Sequence, residues 1–199
     1  MAVIERETLE PEIDGSQRFL WTKEQYRNLS ELGLLEEVRV ELIEGEIIQM
    51  PAIDSRHFTS VLLTTRALQS VFSEGFVVAS QNGFNASPRS EPQPDVAVYQ
   101  GGIRDFAEAL PTAAVLIVEV ADTTLRSDRD RKARLYASAG VPEYWIVNLR
   151  NDVLEVHRQP LTDAQSPIAY QSIQTLMQAD TVTPLAAPTV PISVADLLP

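Results

Sequence analysis

Hydrophobic and polar positions divide the chain into short segments of changing period. Residues 1–17 are polar and aperiodic and read as a loose N-terminal arm. Thr22-Lys23-Glu24-Gln25 has the form of a capping box, with Thr22 as N-cap, and opens a helix that Gly33 ends. Val38 to Ile43 and Glu46 to Met50 are strand patterns on either side of Gly45, which predicts a hairpin. Pro51 breaks that pattern. Ser55 is placed to cap a long helix in which Phe58, Val61, Leu62, Leu68 and Phe72 recur at helical spacing as a core face. Strand patterns follow at Phe76–Ala79 and Gln81–Ala86. The three prolines between Ser87 and Pro94 then predict a rigid loop that feeds a strand over Asp95 to Tyr99.

The stretch Ala113 to Ala121 is apolar except for Glu119, the pattern of a strand buried on both faces. A helix fits Leu125 to Ala139, closed by Gly140 with Pro142 beyond, and Tyr144 to Val147 is again a buried strand. Strand, helix and strand in that order predict two parallel strands joined by a right-handed crossover. Asn151-Asp152 turns the chain into an antiparallel neighbour, Val153–His157. Six prolines from Pro160 onward predict an irregular β-rich tail ending in a short helix near Ser193–Leu198. The expectation is an α/β fold with a mixed sheet flanked by helices, a single domain over 18–199 with its core at about 35–160 and the tail at 160–199.

Composition narrows the chemistry. The 199 residues contain no cysteine, which removes disulfides, zinc–thiolate sites, iron–sulfur clusters and thiol nucleophiles. Two histidines, His57 and His157, leave little for a multi-histidine metal site. No apolar run approaches the roughly 20 residues of a membrane span, and the first residues lack a signal-peptide plan, so a cytoplasmic chain without membrane contact is expected. Sixteen Lys and Arg against 28 Asp and Glu give a net charge of −12, which argues against broad charge-driven binding to nucleic acid. It leaves open a site where a divalent cation and a few local basic groups offset the field.

Three groups carry candidate chemistry. Glu119 in a doubly covered strand must be protonated, paired or metal-bound, because an unpaired buried charge costs several kcal/mol, on the order of a broken buried ion pair. Its plain alternative is a salt bridge to an arginine. Asp95 shares a strand face with Ala97 and Tyr99, and is alternatively a turn or cap residue. Lys132 falls on the helix stripe of Leu125, Tyr136 and Ala139 that faces the sheet, with Asp128 placed to pair with it; alternatively its stem is buried and its ammonium reaches water. Arg129, Arg131 and Arg134 flank it at other angles, toward solvent or a phosphate backbone. Two carboxylates and a carbonyl suffice for Mg²⁺, and a nearby lysine can orient water or stabilise charge on a phosphate.

The order Glu41-Leu42-Ile43-Glu44-Gly45-Glu46, Pro94-Asp95-Val96, Val118-Glu119-Val120, then Asp128, Lys132, Tyr136 and Gly140 to Val147 resembles the Uma-type family of putative restriction endonucleases, within the PD-(D/E)XK phosphodiesterase superfamily. The likeness covers about residues 20 to 160 and is most specific over 118–147. It implies a restriction-endonuclease-like core, a Mg²⁺ site that Mn²⁺ also fills, and hydrolysis of DNA phosphodiester bonds. It assigns Asp95 and Glu119 as acidic ligands, the carbonyl of Val120 as a further ligand, and Glu41 as an acidic position on the first strand that reaches the site or faces solvent. Ala121 stands where the superfamily has its lysine, and Lys132 on the helix is the substitute. His57 matches a histidine at the head of the long helix, expected mainly to cap or hydrogen-bond there. His157 is expected to be structural or exposed on a late edge strand, and Tyr144 and Trp145 to be core. A homodimer is expected, since two sites related by a two-fold axis cut both strands of a duplex most simply. The rival reading is a nuclease-fold protein that no longer cuts and serves as a binding or assembly module. A third is a metal-dependent hydrolase of smaller substrates.

Overall fold

The structure, a computed structural model, describes residues 18–161 and 169–199; the arm expected over 1–17 lies outside them. Helix α1 (Lys23–Glu31) starts at the Thr22 capping box, in which Thr22 accepts from the Gln25 N–H and Gln25 accepts from the Thr22 N–H. Strands β1 (Val40–Ile43) and β2 (Glu46–Gln49) form the expected hairpin. Its two turn residues, Glu44 and Gly45, both have positive φ, at 52° and 84°. A Cβ on Gly45 would also lie 2.7 Å from that of Leu20, so the position admits only glycine.

Helix α2 (Ser55–Val71) begins one residue earlier in its cap than the sequence suggests: Asp54, not Ser55, accepts the His57 N–H at 2.8 Å. Val61, Leu68 and Phe72 are buried, but Phe58 and Leu62 are 56% and 54% exposed, so the apolar stripe is wider than the face the sheet can cover. Strand β3 (Phe76–Ser80) pairs with β4 (Val96–Gln100). The strand expected over Gln81–Ala86 does not form. Gln81 turns with φ 54° and gives its N–H to the carbonyls of Pro94 and Asp95, which lifts the segment out of the ladder.

Six strands make the main sheet in the order β3-β4-β5-β6-β7-β8, with β5 (Leu116–Ala121), β6 (Glu143–Asn148), β7 (Val153–Leu161) and β8 (Ala169–Met177). Only β5 and β6 run parallel, as the strand–helix–strand pattern requires. β8 is a regular nine-residue strand along β7, so the tail expected beyond 160 is β-rich as predicted but more regular. Its polar, exposed outer residues lack an apolar run, but β7 supplies the full ladder. β7 is therefore interior, and His157 is 3% exposed against the rings of Tyr144 and Tyr170, rather than on an edge. The end of the chain adds the two-residue strands β9 (Thr181–Val182) and β10 (Ile192–Ser193) and a 3₁₀ turn over Val194–Leu197.

Between β5 and β6 the crossover helix is one continuous spiral with a change of pitch. α3 (Leu125–Ser127) passes through a π turn (Asp128–Lys132) into α4 (Ala133–Ser138), with Gly140 at φ 74° closing it. The sequence predicts an ordinary helix here, because a π turn keeps the same residue types and shifts only their angular spacing. α2 and the C-terminal residues Val194 and Leu197 pack on one sheet face with Val118, Val120 and Trp145. The crossover helix packs on the other with Ile117, Tyr144 and Ile146. Among the described residues no helix is long and apolar enough to cross a membrane.

Glu143, fully buried at the start of β6, ties the C-terminal segment to the sheet. Its Oε1 accepts from Arg158 at 2.6 Å and from the Trp145 indole at 2.9 Å, while Oε2 accepts from the Leu185 N–H at 2.7 Å. Removing it leaves the buried Trp145 indole N–H without its acceptor and the half-buried Arg158 guanidinium with the Thr183 carbonyl alone. Glu143→Ala should therefore lower stability by about 1–3 kcal/mol in urea unfolding, the cost of a buried donor left unsatisfied.

Candidate active site

The site exists because β5 outruns β4. Their pairing ends at Val96↔Val118, so Glu119, Val120 and Ala121 pair with β6 alone. On the open side the Val120 N–H donates to Asp95 Oδ2 at 2.8 Å, so the carboxylate of Asp95 takes the place of the missing strand. In a strand the N–H and C=O of one residue point to the same side, so the Val120 carbonyl faces this gap too. Pro94 favours the extended approach that sets Asp95 there.

Lys132 reaches the gap from the π turn. Its ammonium lies 3.0 Å from Glu119 Oε1 and 3.3 Å from Glu41 Oε1, and all three side chains are buried. Tyr136, one turn on, donates its hydroxyl to Glu119 Oε1 at 2.6 Å. Glu41 thus reaches the site from β1, and its other oxygen accepts from the Gln93 N–H at 3.1 Å. Asp128 does not pair with Lys132 as the i,i+4 spacing suggested. The ammonium is taken by Glu119 and Glu41 instead, and Asp128 Oδ2 is left buried without a hydrogen-bond partner. Arg129 and Arg131 are also elsewhere: Arg129 grips Glu155 at 2.6 Å, and Arg131 meets Glu46 at 2.8 Å and Glu44 at 3.3 Å.

His57 belongs to the site more fully than its sequence position showed. Nε2 stands 3.1 Å from Asp95 Oδ1, and the nearby Val120 backbone also favours charge on the ring. The Asp54 cap, three residues before it, fixes the helix turn that presents it, and that D-x-x-H spacing was the available signal. Arg39, at the mouth, was missed and carries no motif.

These residues line one cleft of ≈ 190 Å³. Six carboxylates (Glu41, Asp54, Asp95, Glu119, Asp122 and Asp128) face it against Arg39, Lys132 and His57. The protonation states follow from that imbalance. Burial pushes Glu119 well above the usual carboxylate range, and Lys132 does not pull it back. Burial raises Asp128 to about 6. Burial also opposes charge on Asp95, but His57, Lys132 and the Val120 N–H together hold it below its ordinary value. For Lys132 burial alone would lower the pKa, and Glu119, Glu41, Asp128 and Asp95 outweigh it, so the ammonium stays charged. The hydrogen bond to Asp95 raises His57.

The donor set fits a hard divalent cation. Asp95, Glu119 and the Val120 carbonyl are oxygen donors around the gap, and Asp128 Oδ2 is buried there without a hydrogen-bond partner. Among the described residues no three or more carboxylate and imidazole side chains are gathered so as to hold a metal ion by themselves. Backbone and water must then share the coordination, an arrangement Mg²⁺ accepts.

A mixed sheet covered by helices, with Asp and Glu meeting at a strand gap beside a helix lysine, is the restriction-endonuclease-like fold. The chain belongs to the Uma2 family, "Putative restriction endonuclease", whose pattern matches residues 24–195. Among solved structures it is similar to a putative nuclease belonging to DUF820 from Anabaena variabilis ATCC 29413. The identity is 19% and the TM-score 0.67, over 88% of this chain and 96% of that one. No curated protein matches.

Asp128 gives a pH test with a fixed sign. Its folded pKa of about 6 exceeds the ordinary 3.8, so its ionisation costs stability as pH rises from about 4 to 6, and the full cost remains above that. Asp128→Asn should be more stable than wild type at pH 7.5, by on the order of 2 kcal/mol, and the difference should vanish below about pH 4. Urea unfolding at several pH values measures it.

Proposed function

We propose that the protein is a divalent-cation-dependent endonuclease that hydrolyses DNA phosphodiester bonds. The observation that carries the reading is the meeting of Asp95, Glu119, the Val120 carbonyl and Lys132 at one open strand gap in a cleft with excess negative charge. Membership of a family of putative restriction endonucleases and likeness to a putative nuclease support the same chemistry.

Asp95, Glu119 and the Val120 carbonyl would hold the cation, Mg²⁺ or Mn²⁺. When bound, it supplies Lewis-acid polarisation of the phosphate and a bound water of lowered pKa. Lys132 stays an ammonium through the reaction, so it is a donor and not a proton acceptor. Glu119 and Glu41 take two of its three N–H groups, and the third is directed to a water or a phosphate oxygen, where it stabilises charge that grows in the transition state. Tyr136 and Glu41 are positioning residues: Tyr136 fixes the Glu119 carboxylate and Glu41 fixes the ammonium. Arg39 at the mouth meets the phosphate backbone.

A second reading has a specific observation behind it. Arg129 and Arg131 are held by Glu155, Glu44 and Glu46, and the cleft walls are acidic, which suits a binding or assembly module that no longer cuts. One comparison separates the two. Wild type with Mg²⁺ or Mn²⁺ should nick or cut plasmid and single-stranded DNA, and Asp95→Ala, folded by circular dichroism, should lose at least about a hundred-fold of that activity together with cation binding. Cation binding without cleavage of any DNA form favours the module, and equal cleavage by Asp95→Ala contradicts the site.

A further inference from the structure

We infer that the substrate is DNA with unpaired nucleotides, single-stranded or locally opened, whose bases lie on an apolar strip of Ile53, Phe58 and Leu62 beside the cleft. This rests on the reading of the cleft as a nuclease site and names the form of DNA it takes.

The strip starts in the cleft wall. Met50, Pro51, Ala52 and Ile53 line the cleft, and the last three are consecutive exposed apolar residues. A soluble surface rarely leaves such a run open unless something uses it. Ile53 precedes the Asp54 cap and Phe58 is the fourth residue of α2 after it, the two positions whose side chains meet at a helix start. Leu62 follows one turn further along the same helix. That local packing leaves all three open, with Ile53 41%, Phe58 56% and Leu62 54% exposed. A contiguous apolar patch at the lip of a cleft marks a place where a ligand seats. His57, the neighbour of Phe58 in sequence, reaches into the cleft to Asp95, so one helix turn joins the strip to the site.

Charge selects the occupant. Arg56, at the same helix start, is held by Asp152 at 2.8 Å, and Arg150 meets Asp122 at 3.6 Å. Arg129 and Arg131 are taken as well, which leaves Arg39 as the cation at the mouth with no carboxylate partner among the described residues. A duplex is held chiefly by cations that neutralise phosphates on its two backbones. Its bases are paired and stacked on one another, so an apolar strip beside an acidic cleft gains nothing from it. A single strand has fewer phosphates to neutralise and offers open base faces, which stack on an aromatic ring whatever their sequence. Phe, Ile, Met and Pro are also the side chains that proteins wedge against unstacked bases. A phosphate seated at Lys132 in a cleft of ≈ 190 Å³ leaves the adjoining bases at its mouth, where the strip begins.

The test compares a single strand, the duplex of the same sequence and that duplex with a central unpaired bubble, each with Mg²⁺ or Mn²⁺. Wild type should cut the strand and the bubble with kcat/KM at least about ten-fold above the duplex. In the double variant Phe58→Gln with Leu62→Gln, both changes fall at exposed helix positions that glutamine suits, so circular dichroism should match wild type. The variant should lose most of the preference through a KM about ten-fold higher on the strand, with kcat and duplex cleavage little changed. Its affinity for a fluorescent phosphorothioate strand, read by anisotropy, should fall by the same factor. Equal cleavage of strand and duplex, or a preference that survives in the variant, overturns the inference and leaves the nuclease reading standing. A dimer in light scattering that the variant dissociates also overturns it, because the strip then packs on a second copy. Strand binding that the variant weakens, with no DNA form cut, upholds the strip and overturns the nuclease reading. Neither binding nor cleavage of any form overturns both.

Discussion

The rest of the site depends on one buried ammonium placed among more carboxylates than it can neutralise. Lys132 contacts Glu119 and Glu41 directly, and Asp95 and Asp128 act on it through space. In water such a cluster would carry little energy. In a cleft closed by β5, β1 and the π turn, each carboxylate loses hydration, and one ammonium cannot offset that loss for three or four of them. The cluster is therefore poor at stabilising the fold and well suited to attracting a cation. The same reasoning explains why Lys132 serves as a fixed charge, since its neighbours make loss of its proton unfavourable.

Backbone geometry supplies the place where that charge is used. Stopping β4 two residues short of Val120 leaves a strand edge inside the molecule, an edge that would ordinarily be covered. Asp95 covers half of it by accepting the Val120 N–H, and the carbonyl beside it is left toward the cleft. The π turn is the second device. Lys132 ends it and Tyr136 follows it, both hydrogen-bonded to Glu119, and π turns of this kind gather at functional sites.

Much of this was legible in the sequence because it depends on local pattern. A lone Glu119 in an apolar run, Pro94 before Asp95, and Lys132 on the inward helix stripe located three of the converging groups, and the parallel β5–β6 pair followed from strand, helix and strand. What stayed hidden depends on non-local geometry. β8 is polar and gives only a weak strand signal, read as an irregular β-rich tail, until β7 is there to pair with it. The i,i+4 spacing matched Asp128 to Lys132, because nothing local shows that Glu41 and Glu119 take the lysine. Arg129 and Arg131 read as rim cations because nothing local shows that Glu155, Glu44 and Glu46 would take them. His57 read as a helix-head residue because Asp95 is 38 positions away.

The most direct test compares two properties of a single variant, Glu119→Gln. If the cluster exists to bind a cation, the variant should unfold at higher urea concentration than wild type at pH 7.5, because burial disfavours the Glu119 charge. The same variant should lose Mn²⁺ binding in titration calorimetry. If Glu119 is instead a structural partner of Lys132, the variant will be destabilised and will bind Mn²⁺ as wild type does or not at all in either form. That outcome would contradict the cation-binding role of the cluster.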